Sequence, residues 1–308
     1  MKKINNKKKT ALIIGFGSIG ERHAMLLKKF LNFSNIFILT KRKIKKYFII
    51  KNIKDIKKLN FDYVVISSNT SEHFKHLNYI EQNFKNKKIL VEKPLFDKFK
   101  KVKIKKNKVF VGYNLRFHPL IQNLKNNLKK KGLLNIKVVC NSYLPAWRKN
   151  INFKKSSSSN KSKGGGVILD LSHEIDYIRW IFGKISLKFV KRGRISKITK
   201  NTEDYLYLNG KVKKTNLSLD LNYFSRIPKR LIFIDAKDFA VSLDLISNSY
   251  IIKYKNKTLK KNLRNFNNNF TYLQQHKAIL NNDYNTVCDL KFANDTMKLI
   301  DKIKNWQN

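Results

Sequence analysis

Acidic residues are scarce in this chain: 20 Asp and Glu stand against 67 Lys and Arg, a formal charge of +47. That balance raises the question of a nucleic-acid partner. Only ten of the basic residues are Arg, and lysine runs from end to end of the chain. A nucleic-acid footprint instead gathers its charge on one face or stripe, usually with more Arg. The lysines come with abundant Asn, Ile, Phe and Tyr, the bias of an AT-rich genome. No specific nucleic-acid partner is therefore expected, although the field alone attracts polyanions non-specifically. A lysine here is weak evidence of function; an arginine or a glycine is stronger. Cysteine is nearly absent, and Cys140 and Cys288 are too far apart in sequence for a disulfide framework or a metal-ligand spacing, so no metal is expected. No apolar run approaches the ~18 residues of a membrane span, so no membrane partner is expected. The opening "MKKINNKKKTALIIGFGSIGERH" puts lysines before an apolar segment, as a signal peptide does. That segment holds three glycines, ends in Glu21-Arg22-His23 and lacks a small-residue cleavage site. A cytoplasmic location is expected.

Glycine and proline are also few, 11 and 4, so their placement is informative. Gly15-x-Gly17-x-x-Gly20 follows the apolar run Ala11 to Ile14 and precedes Ile19, His23, Leu26, Leu27 and Phe30 at helical spacing. A glycine motif between strand and helix suits a dinucleotide pyrophosphate. Gly15 allows the tight turn, Gly17 the close approach of backbone to phosphate, and Gly20 the packing of helix on strand. Phe16, Ser18 and Ile19 complete the loop, and the helix N-terminus faces the anion. A second strand, Ile36 to Leu39, ends at Thr40, Lys41 and Arg42. A domain that prefers NAD usually carries an acid near that point for the ribose hydroxyl. Its absence, with Arg42 available for a 2′-phosphate, leans the reading from NAD to NADP. Strand Tyr63 to Ile66 leads to a polar turn containing Ser68, Asn69 and Thr70, then to a helix starting near His73. Strand "KILV" runs into Glu92-Lys93-Pro94, and "KVFVGYNLRF" supplies one more. This alternation predicts an α/β Rossmann domain, a doubly wound parallel sheet, over residues 1–117.

Residues 118–308 read differently. A helix from Pro119 to about Lys130 and a strand from Ile136 to Ser142 precede a serine-rich stretch, 156–162, with the composition of a mobile loop. Alternating strands fill 186–255, and two helices, about 270–281 and 289–305, end the chain. These patterns predict an α+β domain on a largely antiparallel sheet, and the chain's length fits about two domains.

The segments "GFGSIGERH", "ISSNTSEH", "VEKPL", "GYNLRFHP" and "GGGVILDLSHEIDYIRWIFG" resemble the Gfo/Idh/MocA family of NAD(P)-dependent oxidoreductases. The resemblance covers essentially the whole chain. It implies hydride transfer between nicotinamide and the hydroxyl or carbonyl of a sugar-like or nucleotide-sugar substrate. It puts Lys93 beside the nicotinamide, where a cation stabilises developing alkoxide and shares a proton. Glu92 and Lys93 would both border the cofactor. It makes His173 the general acid/base, with Asp170 orienting it or binding sugar hydroxyls. The chain departs from the common pattern in that Asp170 and His173 are three residues apart, not four. "SYLPAWR" with the glycine-opened helix resembles a branch met among bacterial surface-polysaccharide and nonulosonate genes. By the same resemblance the antiparallel sheet is a dimer face, so a homo-oligomer is expected.

The residues themselves add detail. Leu171, Ile175, Ile178 and Phe182 form one apolar stripe; Asp170, His173, Asp176 and Tyr177 form a second, polar face. Gly164 to Gly166 start this helix without side chains, which leaves room for a substrate at its N-terminus, and the serine stretch is placed to close over it. Arg116, Trp147 and Arg148, with Asp170 and Tyr177, are the candidates for substrate contact, Trp147 for a sugar face and the arginines for an anion. Among the other histidines, His23 has a packing position and His73 a place near the cofactor. His76 shares a helix face with His73 but has no further ligands for a metal. His118 stands at the domain junction, and His276 is expected to be solvated. Two rivals have different sequence signatures. A cofactor-binding regulator on the same fold has no need of Lys93 and His173; a nucleic-acid-binding protein rests on charge alone.

Overall fold

The computed structural model describes residues 9–128, 132–147 and 152–307. In chain order the first elements are β1 (Lys9–Ile14), α1 (Ser18–Phe30), β2 (Phe33–Leu39), β3 (Phe48–Ile50), β4 (Tyr63–Ile66), α2 (His73–Asn83), β5 (Lys88–Val91) and β6 (Lys108–Val111). They are followed by α3 (Pro119–Asn127), β7 (Leu133–Tyr143), α4 (Val167–Asp170), α5 (Ser172–Phe182), β8 (Ile185–Gly193), β9 (Tyr205–Val212) and β10 (Thr215–Asn222). The last are β11 (Phe224–Ala236), β12 (Phe239–Asp244), β13 (Ser249–Tyr254), β14 (Thr258–Asn262), α6 (Asn269–Leu280), β15 (Cys288–Asp289) and α7 (Leu290–Lys304). No helix among the described residues is long and apolar enough to cross a membrane.

The strands form two sheets. The first has the order β15-β6-β5-β4-β1-β2-β3, parallel except for the short edge strand β15. Its central strands are buried along nearly their whole length, which is why they read as continuous Ile/Val/Leu runs. The order reverses between β4 and β2 on either side of β1, the point at which such sheets take ligands beyond the strand ends. The second sheet has the order β14-β13-β12-β11-β7-β10-β9-β8. It is antiparallel apart from the β10–β7 pair. Its strands alternate between buried and more exposed positions, as in β9 and β10, because one face carries helices; α4 lies against β9 and β10. The fold is therefore the expected Rossmann-like sheet followed by a mostly antiparallel one.

The chain divides into two compact units, and not at a single point. Unit one holds residues up to Phe96, Lys100–Asn114 and Asn269–Asn294; unit two holds Asp97–Phe99, Leu115–Asn268 and the segment from Asp295 on. The sequence reading gave everything after 117 to the second domain. The structure instead returns α6 and β15 to the first, β15 extending the sheet beside β6 and α6 packing on α1. The reason is visible in α6, whose buried positions are Thr271, Gln275, His276, Ala278 and Ile279. Three of them are polar and need partners that unit one supplies. His276, expected in solvent, is fully buried.

Candidate functional site

In unit one the glycine motif closes the end of β1. Gly15 has φ +91°, and a Cβ there would come within 2.5 Å of the Ser68 backbone. A Cβ on Gly20 would come within 2.3 Å of the Gly15 carbonyl oxygen. Gly17, the N-cap of α1, differs: a Cβ there would meet nothing within 4 Å. The turn is thus closed at Gly15 by the backbone of the turn after β4, closed at Gly20 by its own backbone, and open in the middle. The opening lies at the start of a 13-residue helix, whose first N–H groups have no intrahelical acceptor and whose dipole favours an anion. These residues fit a dinucleotide pyrophosphate. Ser67 locks the turn by donating to the Gly15 carbonyl at 2.9 Å.

Beyond β2, Thr40 Oγ1 accepts from the Arg42 N–H at 3.2 Å, and Lys51 donates to the carbonyls of Lys41 and Arg42 at 3.3 and 3.1 Å. Lys41 and Arg42 are exposed. Lys51, which sequence reasoning did not select, therefore shapes the corner that the ribose would use. Phe16 meets Tyr47 edge-on, with ring centres 5.8 Å apart.

The turn after β4 is held by two histidines. Ser68 Oγ lies 2.9 Å from His76 Nδ1, and burial lowers the His76 pKa to about 4. His73 is buried, its Nε2 3.1 Å from the Ser68 carbonyl and its Nδ1 3.1 and 3.2 Å from those of Pro94 and Leu95. Burial pulls its pKa below the usual histidine value, against the opposing pull of those carbonyls. His73 thus ties the 67–70 turn to the segment after Lys93; its ring braces the site rather than lining it. Asn69 is exposed at the tip and Thr70 starts the next turn. Past β5, Glu92 is buried, Lys93 is half-buried, and the Lys93–Pro94 peptide is cis.

In unit two the helix expected from Gly164 onward is two helices. Four residues, α4, are followed by a break at Leu171 (φ −98°, ψ 26°) and then by α5. The glycines before α4 do not leave an open approach. A Cβ on Gly165 would lie 2.0 Å from the Ser157 carbonyl oxygen, and one on Gly166, at φ +120°, would lie 2.3 Å from the Glu203 carboxylate. The serine stretch fills that space: Ser158 and Ser159 are buried, the Gly166 N–H donates to the Ser158 carbonyl at 3.0 Å, and Lys200 N–H to that of Ser159 at 3.1 Å. The expected mobile loop is a packed turn because these backbone groups are paired.

The expected polar face is also interior. Asp176 and Tyr177 are 1% exposed and His173 8%. Arg116, 2% exposed, donates from Nε and Nη2 to the two oxygens of Asp176 at 2.9 and 2.7 Å. That guanidinium is committed to a buried bidentate pair rather than offered to a substrate anion. The Tyr177 hydroxyl lies near Glu174, Arg230 and Cys140; burial first, then Glu174, raises its pKa well above normal. Arg230 bonds to the fully buried Glu174 at 2.8 Å. Burial opposes its charge, but the Glu174 carboxylate outweighs that and lifts its pKa. His118 caps α3, accepting from the Leu120 N–H at 3.2 Å and meeting Asn248 Oδ1 at 3.0 Å. Burial lowers its pKa to about 4, so the neutral ring is a structural cap.

A row of three side chains runs inward from the surface: Trp147 is exposed, Tyr223 fully buried and Asp170 half-buried. Trp147 is 39% exposed, its indole N–H donates to Ser142 Oγ at 3.1 Å, and its ring stands edge-on to Tyr223 at 5.3 Å. Tyr223 in turn donates its hydroxyl to Asp170 Oδ2 at 2.6 Å; burial and then Asp170 raise its pKa well above normal. Tyr223 was not selected from sequence, since an aromatic at a strand end reads as core. Arg148 lies outside the described residues.

Residues 9–113 match a family model described as an oxidoreductase family with an NAD-binding Rossmann fold, Gfo/Idh/MocA. Apart from Asp97–Phe99, the match lies within the first unit, and it takes in all of that unit's parallel strands. Solved structures of similar fold span nearly the whole chain. UDP-N-acetylglucosamine 3-dehydrogenase from Acidithiobacillus ferrooxidans is 16% identical, with 96% of each chain covered and a TM-score of 0.74. Levoglucosan dehydrogenase, solved in complex with NADH, is 12% identical, with 96% of each chain covered and a TM-score of 0.73. A super-repressor mutant of Gal80p from Saccharomyces cerevisiae is 13% identical, covering 96% of this chain and 95% of its own, with a TM-score of 0.76. No curated protein matches the chain. The likeness in fold to these solved structures thus extends over both sheets.

Proposed function

We propose that the protein is an NAD(P)-dependent dehydrogenase or reductase acting on a CH–OH group of a sugar-like or nucleotide-sugar substrate. The observation that carries this reading is the opening at Gly17 on the N-terminus of α1, in a domain that also presents Lys93 after β5. Gly15 to Gly20 would hold the pyrophosphate, and the turn with Ser68, Asn69 and Thr70 would border the cofactor. Bound nicotinamide would supply or take the hydride. Lys93 would stabilise charge on the substrate oxygen and His173 would exchange its proton. Asp170, held by Tyr223, and Trp147 would meet sugar hydroxyls and an apolar sugar face. With Thr40, Lys41 and Arg42 at the ribose corner, NADP is the preferred cofactor. A cytoplasmic homo-oligomer is part of the same reading, as is a place in surface-polysaccharide sugar synthesis. The test is cofactor titration followed by turnover on a panel of sugars, nucleotide sugars and nonulosonates. Binding with turnover supports the reading.

One observation favours a second reading, the likeness in fold to a Gal80p repressor variant: a cofactor-binding regulator without turnover. Cofactor binding with no turnover on any panel member, in a protein unaffected by His173→Ala, would favour it.

A further inference from the structure

Four titratable side chains of unit one form a single buried line. Glu92 Oε1 lies 3.0 Å from His23 Nε2; His23 Nδ1 lies 2.8 Å from His276 Nε2; His276 Nδ1 lies 3.0 Å from the Tyr63 hydroxyl. His23, His276 and Tyr63 are fully buried and Glu92 is 8% exposed. They come from α1, α6, β4 and the end of β5.

Each of the three contacts needs one proton, and a carboxylate can only accept. With Glu92 ionised and both imidazoles neutral, one arrangement serves all three: Tyr63 donates to His276, His276 Nε2–H to His23, and His23 Nε2–H to Glu92. In the reversed direction Glu92 must be protonated, and the Tyr63 proton then has no acceptor among the described residues. An imidazolium at either histidine meets the same obstacle. Burial, then His23, pushes the His276 pKa well below normal. Burial, then Glu92, raises that of Tyr63. Both directions favour the same neutral forms. The far end is fixed as well. Glu92 Oε2 accepts from the Lys93 N–H at 3.3 Å, and Gly112 leaves the carboxylate its place, since a Cβ there would lie 2.7 Å from Oε1.

We propose that Tyr63, His276 and His23 form a one-directional hydrogen-bond chain that holds Glu92 as an anion and thereby fixes the backbone of Lys93, which makes His276 a positioning residue for Lys93. The chain also explains why α6 returns to unit one. Its consequence for turnover rests on the dehydrogenase reading; its protonation pattern and its hold on the Lys93 N–H do not.

The experiment has three arms on the full-length protein. Nitrogen-15 NMR of histidine-labelled protein near neutral pH should show His23 and His276 both neutral with the proton on Nε2; a proton on either Nδ1, or an imidazolium, overturns the chain. His276→Gln cannot bridge both neighbours, so deuterium exchange of the peptide containing the Lys93 N–H should speed up in that folded variant. Unchanged exchange overturns the hold on Lys93. In the same variant kcat should fall about tenfold while cofactor affinity changes less than about twofold. Tyr63→Phe, which removes only the last link, should lose less. A lower melting temperature with kcat unchanged would reduce His276 to a packing residue and overturn the positioning role. If wild-type protein turns over nothing, the dehydrogenase reading fails, and the first two arms still decide the chain.

Discussion

The turn at Gly15 to Gly20 and the turn at Gly164 to Gly166 both lead the chain into a helix, yet a methyl group added to them would meet different surroundings. In the first, Gly15 is closed by the Ser68 backbone and Gly20 by the Gly15 carbonyl, while Gly17 has open space to 4 Å. In the second, Gly165 and Gly166 are pressed against Ser157 and Glu203. Glycine is required in both, but only the first leaves room for something outside the chain. The second is an internal joint that seats α4 and, beyond the break at Leu171, α5. A glycine cluster in a sequence therefore signals close approach without saying what approaches.

The sharpest way to test that contrast is to ask where chemistry resides beyond the second turn. If that turn only packs, the reactive group is on the helix it seats. His173→Ala should then cut turnover by about 10²–10⁴, the usual share of general acid–base catalysis, with cofactor affinity intact. Lys93→Met should do comparable damage. Asp170→Asn should cost less, because Tyr223 remains to hold the side chain. Steady-state kinetics on the first active substrate checks all three, and a folded His173→Ala enzyme at wild-type rate would make α5 a structural element only.

Gly166→Ala attacks the closed turn directly. It puts a side chain on strained backbone at φ +120°, about 1–3 kcal/mol, and forces the Glu203 carboxylate to shift. Thermal unfolding should show a clear loss of stability, while cofactor titration of the folded protein stays unchanged. A melting temperature equal to wild type would contradict the packed turn.

Gly17→Val should do the opposite. With φ −86° and ψ −169° any residue can adopt the backbone, so stability should change by less than about 0.5 kcal/mol. Cofactor affinity should fall by about 1.5–3 kcal/mol, ~10- to 100-fold, through lost hydrogen bonds to charged phosphate. Unaltered titration would remove the pyrophosphate from this turn.

The smallest effect is expected at the ribose corner. Arg42→Ala should weaken NADP by about 1 kcal/mol, ~5-fold, and leave NAD unchanged, because an exposed charge contributes little. Wild-type preference for NAD, or an unaffected variant, would return Lys41 and Arg42 to the background charge of this lysine-rich chain.

Much of this was legible in order of residues alone. Strand–helix alternation to residue 111, the glycine motif between β1 and α1 and the strand run after 186 are local patterns with periods of their own, and local patterns survive without tertiary information. Three features did not. The helix after Gly166 reads as one amphipathic helix because Asp170, His173 and Asp176 share a face, but polarity cannot tell a solvated face from a paired one. Here Arg116, sixty residues earlier in the chain and in the same unit, pairs Asp176. The serine stretch has loop composition, yet its backbone is paired with 166 and 200. His276 sits on a helix without a clear apolar stripe, and nothing local points to His23, 253 residues away.

By itself, then, the sequence determined the parallel sheet, its phosphate turn and the antiparallel sheet beyond, because backbone periodicity and glycine's missing Cβ act over a few residues. The tertiary structure alone decided which glycine turn is open, which polar side chains are interior, and that α6 belongs to the first unit. Those outcomes depend on partners far apart in the chain, and burying a polar group is tolerable only where such a partner is brought to it.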